Sequence, residues 1–182
     1  MITSAPDRAA LERALRATVR EVPDFPTPGI GFKDITPVLA DPALFGACVE
    51  ALAEAYRGTG ITHVAGVESR GFLLAAPVAL AVGAGIVPVR KLGKLPHTTE
   101  RIDYALEYGN ATLEVHADAC GRGARVLVTD DVLATGGTAL AACALLERLG
   151  AEVVGLGFLL SLGFLPGERR LAGRRVESLA RY

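Results

Sequence analysis

Val126-Leu-Val-Thr-Asp-Asp-Val-Leu-Ala-Thr-Gly-Gly-Thr-Ala139 is the stretch of this 182-residue sequence that decides its fold. It begins with an apolar run typical of a buried strand and reaches two adjacent carboxylates, Asp130 and Asp131. A short loop rich in threonine and glycine follows, and the apolar spacing after the loop predicts a helix. A strand, a loop and a helix in this order are typical of an α/β fold.

The loop, residues 134–138, has the composition of a phosphate-binding turn. Gly136 and Gly137 have no Cβ atoms, so backbone N–H groups can close around an anion, and the start of the helix offers further unpaired N–H groups. Each feature alone is also what an ordinary turn uses, since Asp and Gly dominate turns for local reasons. Their combination favours a binding role, in which the two aspartates accept hydrogen bonds from the hydroxyls of a phosphorylated sugar. No lysine follows the glycines, so the loop is not that of the nucleotide triphosphatases.

Apolar periodicity on either side of this unit predicts the other elements. Asp41 followed by Pro42 is typical of the start of a helix. Helices are predicted over residues 7–20, 41–56, 72–82 and 138–149, and strands over residues 63–67, 86–89, 125–129 and 152–160. Strands that alternate with helices indicate a mostly parallel central sheet flanked by helices, and ligands bind such sheets at the carboxyl ends of the strands.

Two long segments lack this regularity. Residues 21–36 contain Val22-Pro-Asp-Phe-Pro-Thr-Pro-Gly29 and are predicted to form an irregular connection. Residues 92–103 have no clear period and are predicted to form a long exposed loop, which would suit a lid.

A hairpin is predicted after that loop. Residues 104–108 and 112–116 flank Gly109-Asn110, a pair typical of turns. Alternation from residue 112 to residue 117 predicts one buried face, made by Leu113, Val115 and Ala117.

Composition limits the classes of protein to which the chain can belong. Hydrophobic residues make up 51% and charged residues 21%, which suits a single globular domain over residues 1–182. The net charge of −1 provides no basic surface for nucleic acid or for a membrane. The 3 cysteines and 3 histidines have no metal-binding spacing, and the cysteines no disulfide pattern. Neither a signal peptide nor a membrane span is indicated, so a cytoplasmic location is expected.

At this point the sequence resembles a known family. The paired acids followed by Ala-Thr-Gly-Gly-Thr are similar to the phosphoribosyl-pyrophosphate motif of the type I phosphoribosyltransferases, in the form found in members that use adenine. The resemblance covers nearly the whole chain in the family's order, through Asp24-Phe-Pro-Thr-Pro-Gly-Ile-Gly-Phe-Lys-Asp34, Glu68-Ser-Arg-Gly-Phe-Leu73, Val87-Pro-Val-Arg-Lys91, Gly93-Lys-Leu-Pro96 and Leu106-Glu-Tyr-Gly109. It implies the α/β fold of that family, with a base-binding segment at about residues 21–36 and a mobile lid and hairpin, the hood, at about residues 92–117.

The resemblance also implies a role for each matching position. Two positions depart from the family: arginine is usual where this chain has Lys33, and alanine where it has Ser69. The change at Lys33 matters little if the backbone makes the contact, and matters more if a guanidinium does. The implied roles are ribose binding by Asp130 and Asp131; 5′-phosphate binding by Ala134, Thr135, Gly136, Gly137 and Thr138; pyrophosphate binding by Glu68, Ser69, Arg70, Gly71, Arg90 and Lys91; base binding by Gly31, Phe32, Lys33 and Leu162; and catalysis by Glu107 and Tyr108 in the hood.

The implied reaction is the attack of a ring nitrogen of adenine on 5-phosphoribosyl 1-pyrophosphate, which gives AMP and pyrophosphate. Mg²⁺ would neutralise the leaving group through substrate oxygens and waters, with no direct protein ligand. Glu107 would accept the proton of the purine, although on spacing alone it is a solvated residue of a hairpin. A homodimer is also implied, in which Arg90 of one chain reaches the site of its neighbour.

Alternatives stay open at the level of the sequence. Xanthine or another purine is the nearest alternative base, and orotate is a more distant one. A regulator that senses phosphoribosyl pyrophosphate and binds nucleic acid is a different class, disfavoured by the short N-terminal helix and the near-neutral charge. A purely structural protein would leave the acidic pair beside a phosphate loop unexplained.

Overall fold

The computed structural model of the protein describes residues 7–106 and 109–182. Its helices and strands follow one another along the chain as α1 (Arg8–Thr18), β1 (Arg20–Val22), β2 (Phe32–Asp34), α2 (Thr36–Ala40), α3 (Pro42–Tyr56), β3 (His63–Val67), α4 (Arg70–Val82), β4 (Gly85–Lys91), β5 (Thr99–Leu106), β6 (Gly109–His116), β7 (Arg125–Leu133), α5 (Gly137–Arg148), β8 (Glu152–Ser161), α6 (Gly167–Arg170) and β9 (Val176–Arg181). In the described part of the chain, no helix combines the length and the apolar character needed to cross a bilayer.

In the described part of the chain, seven strands form the central sheet, in the order β5-β6-β4-β3-β7-β8-β9. The five strands from β4 to β9 in this order run parallel to one another, and β6 and β5 extend the β4 edge in antiparallel pairing. The prediction of a mostly parallel sheet is therefore confirmed. Strand β7 continues past the two aspartates to Leu133, further than the sequence predicted, because its ladder with β8 continues to Ser161.

Helices cover both faces of this sheet, and β7 contributes to both cores. Val126 and Val128 pack in the cluster that contains α5, whereas Leu127 packs in the cluster that contains α3 and α4. This alternation is what a strand requires when both of its faces are covered.

The predicted helix start at Asp41 is confirmed. The Asp41 carboxylate accepts hydrogen bonds from the N–H groups of Ala43 and Leu44, at 2.9 and 3.0 Å, and Pro42 occupies the first helical position. This arrangement satisfies N–H donors that have no partner inside the helix.

The prediction of an irregular connection over residues 21–36 needs one addition. Strands β1 and β2 pair antiparallel in a small separate sheet, with Val22 opposite Phe32. Between them the Asp24 carboxylate accepts a hydrogen bond from the N–H of Gly29 at 2.7 Å, which closes the intervening turn. This two-stranded unit, here called the β1–β2 hairpin, forms no ladder with the central sheet within residues 7–106 and 109–182.

The prediction of a loop over residues 92–103 is wrong from Thr99 onward, where β5 begins. Ile102 and Tyr104 pack against the core while Arg101 is exposed, and this short alternation is masked in the sequence by the many polar residues around it. The predicted turn at Gly109-Asn110 is also wrong, because both residues lie within β6. The register that places Ile102 opposite Leu113 overrides their turn preference.

The predicted buried face of residues 112–117 is confirmed for Leu113 and Val115 and wrong for Ala117, which is exposed. Glu114, predicted to point outward, is only 1% exposed. The segment 92–98 folds over this carboxylate and donates two backbone N–H groups to it, from Lys94 and Leu95. A buried acid is tolerated there because its oxygens have donors.

Candidate active site

Three adjoining cavities lie at the carboxyl ends of the parallel strands, and Asp130 lines all three of them. Their volumes are about 460, 410 and 80 Å³. They are named here the aromatic cavity, the cationic cavity and the loop cavity, after the residues described below. Their position is the one at which open α/β sheets bind ligands.

The loop cavity, of about 80 Å³, is lined by the turn between β7 and α5. Ala134, Thr135, Gly136 and Thr138 all line it, and Gly136 has a φ of +82°, a conformation that favours glycine. The N–H groups of the first turn of α5 have no partners within the helix, so this cavity suits an anion. Gly137, the first residue of α5, lies beside the cavity but not among its lining residues.

Helix α6 supports the back of this turn through a contact that sequence reasoning missed. Gly167 donates its N–H to the carbonyl of Ala134 at 3.1 Å, and a Cβ atom at Gly167 would lie 2.3 Å from the same carbonyl oxygen. A Cβ atom at Gly136 would in turn lie 3.1 Å from the Cα of Gly167. Both positions therefore require glycine for the turn to keep its shape.

The two aspartates are held by different groups. Asp131 is buried and its Oδ2 lies 2.6 Å from Nε of Arg70, whereas Asp130 accepts the backbone N–H of Asp131 at 2.9 Å. Burial and the adjacent Asp131 charge raise the pKa of Asp130 well above its usual value. Gly71 allows this arrangement, since a Cβ atom there would lie 3.0 Å from Oδ1 of Asp130.

The cationic cavity, of about 410 Å³, lies on the other side of the aspartates. Ser69, Arg70 and Lys91 line it together with Glu68. Arg90 does not line it: its guanidinium donates to the Glu68 carboxylate at 3.2 and 3.3 Å. Glu68 also accepts the N–H of Lys91 at 3.0 Å.

These contacts decide the charge state of Glu68. Burial alone would raise its pKa, but the N–H of Lys91 and the guanidinium of Arg90 outweigh burial and lower the pKa below its usual value. An ionised Glu68 whose oxygens are occupied by Arg90 and Lys91 fixes the backbone at the edge of the cavity. The geometry therefore gives Glu68 a supporting position rather than a free, ligand-facing one.

The aromatic cavity, of about 460 Å³, contains all four residues predicted to bind the base: Gly31, Phe32, Lys33 and Leu162. The Phe32 ring packs edge-on against Phe25 at 5.1 Å, and the Arg70 guanidinium lies 5.0 Å from the Phe32 centroid. The Lys33 ammonium lies 3.0 Å from the Glu21 carboxylate, so its charge is already paired. Gly29 and Ile30, which lie in the predicted base-binding segment, also line this cavity, whereas sequence reasoning missed Val132, Phe164 and Leu165.

A signal for part of the missed set is present in the sequence. Phe164 and Leu165 lie within four residues of the end of β8, and in parallel sheets the residues just after a strand lie at the ligand-binding edge. Phe164 is 73% exposed, so its ring is open to a ligand in the cavity.

The predicted catalytic pair, Glu107 and Tyr108, lies outside the described residues. Within residues 7–106 and 109–182, no group of three or more His, Cys, Asp or Glu side chains is arranged to hold a metal ion. His97 and His116 stack edge-on at 6.1 Å, away from all three cavities.

Comparison with known proteins places this geometry in a family. Residues 34–174 match the phosphoribosyl transferase domain family. An adenine phosphoribosyltransferase from a Parafrankia species is 59% identical over 178 residues, which covers 98% of this chain and 97% of the relative.

Solved structures give the same result. The adenine phosphoribosyltransferase of Rhodothermus marinus superposes with a TM-score of 0.91 at 51% identity, over 96% of this chain and 99% of that one. The enzyme of Saccharomyces cerevisiae, solved in complex with adenine and an imino-altritol bisphosphate, superposes with a TM-score of 0.88 at 39% identity, over 94% and 99% of the two chains.

Proposed function

The chain belongs to the adenine phosphoribosyltransferase family, and on that basis we propose how its cavities serve the transfer of a phosphoribosyl group to adenine. The enzyme is a pentosyltransferase that converts adenine and 5-phosphoribosyl 1-pyrophosphate into AMP and pyrophosphate. The observation that carries the assignment of the cavities is their meeting at Asp130. An aromatic, a cationic and an N–H-lined cavity around one carboxylate match a purine, a pyrophosphate and a 5′-phosphate around one ribose.

The ribose lies at the junction in this proposal. The carboxylates of Asp130 and Asp131 accept hydrogen bonds from its two vicinal hydroxyls, because carboxylate oxygens offer several acceptor sites. The 5′-phosphate then enters the loop cavity, where residues 134–138 present N–H and hydroxyl donors. The partly buried site strengthens these electrostatic contacts relative to water.

The pyrophosphate occupies the cationic cavity. Arg70 and Lys91 face it directly, and Glu68 holds the backbone of Lys91 in place, which supports a role of this group in stabilising the leaving charge. Arg90 is bound to Glu68 and reaches a pyrophosphate only across the interface of a homodimer in this proposal. Three large apolar side chains on α4 and β4 support such an interface, because Leu73, Leu80 and Ile86 are 45–83% exposed.

Mg²⁺ completes the cationic cavity in the proposal. Mg²⁺ is commonly held by substrate phosphates and waters rather than by a protein cage, and the oxygens of Asp130 and Asp131 at the edge of the cavity would accept hydrogen bonds from such waters. When bound, the ion neutralises negative charge on the departing pyrophosphate. It would be held through substrate oxygens and water, with no direct protein ligand.

Adenine occupies the aromatic cavity between Phe32 and Leu162. Backbone groups of residues 31–33 would recognise its edge, which fits an engaged Lys33 side chain. As the purine attacks the anomeric carbon, it must lose a proton, and Glu107, with Tyr108 beside it, would supply the acceptor. Residues 92–117 would close over the reaction to exclude water.

Two wider assignments belong to the proposal. Residues 1–182 would act as one phosphoribosyltransferase domain, which is supported by a central sheet built from strands along most of the chain. The enzyme would work in the cytoplasm, in the salvage of purine bases.

The test is nucleotide formation from phosphoribosyl pyrophosphate and Mg²⁺ with adenine, hypoxanthine, guanine, xanthine and orotate offered separately. AMP formation with little product from the other bases is expected, because a site that pairs with the 6-amino donor leaves buried acceptors unpaired with a 6-oxo base, at about 1–3 kcal/mol per group. Preferred turnover of another base would overturn the assignment of the aromatic cavity. Binding of phosphoribosyl pyrophosphate without turnover of any base would favour the regulator instead.

A further inference from the structure

We propose that Tyr182 is a positioning residue that fixes the two walls of the aromatic cavity relative to each other. The inference rests on the proposed binding of adenine in that cavity. Tyr182 follows β9 and does not itself line the cavity. It contacts both walls from behind, and it would therefore set adenine affinity without touching adenine.

The first wall of the cavity contains Leu162 and is bound by the backbone of Tyr182. Its N–H donates to the carbonyl of Ser161 at 2.8 Å, and its carbonyl accepts the N–H of Gly163 at 2.7 Å. These two hydrogen bonds bracket Leu162, the residue between them, which faces the cavity. Leu162, which follows β8, is thus held from one side by Tyr182, while its own N–H donates to the carbonyl of Leu133 at 2.9 Å.

The second wall is bound by the ring of Tyr182. The Lys33 ammonium lies 4.6 Å from the ring centroid, and the Lys33 side chain is only 12% exposed. The same ammonium lies 3.0 Å from the Glu21 carboxylate. A cation held over an aromatic face and against a carboxylate is attracted to both, and the attraction rises when the group is partly removed from water.

Among the described residues the β1–β2 hairpin has no hydrogen-bonded ladder to the central sheet, so side-chain contacts hold it in place. Phe32 and Lys33 lie on β2, so the distance between Phe32 and Leu162 depends on side-chain contacts across that gap. Tyr182 is the residue that contacts β2 with its ring while its backbone holds the residues around Leu162. A purine is a rigid plane, and its stacking energy depends on the width of the slot.

Tyr182 also has a second cation on its ring, which provides an internal control. The Arg16 guanidinium lies 4.9 Å from the ring centroid, is bound to Glu12 and to the carbonyl of Arg181, and is not among the described residues that line the aromatic cavity. If Tyr182 acts on adenine affinity through Lys33, removing Arg16 should have no comparable effect. If Tyr182 merely stabilises the fold, removing Lys33 and removing Arg16 should change the KM for adenine to the same extent.

The experiment compares Tyr182→Ala, Tyr182→Phe, Lys33→Met and Arg16→Met in the full chain. We expect Tyr182→Ala and Lys33→Met each to raise the KM for adenine about tenfold, as loss of a partly desolvated cation–aromatic contact implies. The kcat at saturating adenine and the KM for phosphoribosyl pyrophosphate should stay within about twofold. Tyr182→Phe and Arg16→Met should behave as the unchanged enzyme, and the double variant of Tyr182 and Lys33 should be no worse than either single variant, since coupled residues are not additive.

Three results would overturn the proposal. Tyr182→Ala could leave the KM for adenine unchanged, it could change the constants of both substrates equally, or Arg16→Met could match Lys33→Met. Thermal unfolding of each variant ensures that only folded protein is compared, and the direct affinity for adenine is measured by calorimetry. An unmodified enzyme that forms no AMP would instead overturn the proposed function, before any variant is compared.

Discussion

Replacing Glu114 with alanine tests how the segment 92–98 is held against the sheet. The Glu114 carboxylate accepts the N–H of Lys94 at 2.9 Å and that of Leu95 at 3.1 Å, and it lies 3.6 Å from Nε of Arg101. The alanine variant leaves both N–H groups without this acceptor. We expect lower stability and a displaced segment 92–98.

The magnitude follows from the two hydrogen bonds. A hydrogen bond to a charged group contributes about 1.5–3 kcal/mol to stability. Because Lys94 is exposed, water can replace part of its bond, so we take the lower value for each of the two bonds. The expected loss in the free energy of unfolding is then about 3 kcal/mol. Against a total stability of about 5–15 kcal/mol this is a large loss. If the free energy of unfolding falls by about 4 kcal/mol per molar guanidinium chloride, this loss lowers the unfolding midpoint by about 0.8 M.

The assay is guanidinium chloride unfolding of Glu114→Ala beside Glu100→Ala. Glu100 is an exposed acid on the neighbouring strand β5, so its loss should change stability by less than about 0.5 kcal/mol. The segment also contacts Arg90, which donates to the carbonyl of Lys94 at 3.1 Å and to Glu68 at the edge of the cationic cavity, and we therefore expect a higher KM for phosphoribosyl pyrophosphate in Glu114→Ala. Equal midpoints for the two variants would refute the reasoning.

Two further predictions concern Asp130 and Gly71, which lie next to each other at the active site. Asp130→Asn should nearly abolish turnover yet stabilise the free enzyme. Because the folded-state pKa of Asp130 is raised, the unmodified enzyme loses stability as the pH rises from the usual carboxyl value of about 3.9 through that raised value. The difference in melting temperature between the variant and the unmodified enzyme should therefore vanish near pH 4 and widen toward pH 8, and a difference independent of pH would contradict this. Gly71→Ala should cost about 1–3 kcal/mol and raise the KM for phosphoribosyl pyrophosphate, since its Cβ atom would lie 2.8 Å from the carbonyl of Thr129. The matched control is Gly46→Ala in α3, whose Cβ atom meets nothing within 4 Å and should stabilise by about 0.5–1 kcal/mol; equal effects would contradict a packing role for Gly71.

The parallel sheet could be predicted from the sequence because its strands are short apolar runs separated by helices with clear periodicity. Strand β3 was predicted at its observed bounds for that reason. The residues of the aromatic cavity come from chain positions as distant as Phe32 and Leu162, and composition alone treats an isolated Phe32 as a core residue. Only the family resemblance indicated both, and their contact with a base stays a prediction.

What the sequence could not provide depends on contacts between distant segments. The burial of Glu114 results from a segment about twenty residues earlier folding over it, and a charged residue on a half-polar strand predicts the opposite. The pairing of Arg90 with Glu68 likewise follows from the adjacency of β3 and β4, so a cation expected at the ligand is bound to a carboxylate instead. The roles of Glu107 and Tyr108 stay predictions.

The shared wall between the two larger cavities has a thermodynamic consequence. Arg70, Asp130 and Asp131 line both the aromatic and the cationic cavity, and Arg70 also lies over the Phe32 ring. An anion that draws the Arg70 guanidinium toward itself therefore changes the surface on which the base stacks. Linkage then requires reciprocity: the factor by which phosphoribosyl pyrophosphate changes the affinity for adenine would equal the factor by which adenine changes the affinity for phosphoribosyl pyrophosphate, and Arg70 would couple the two.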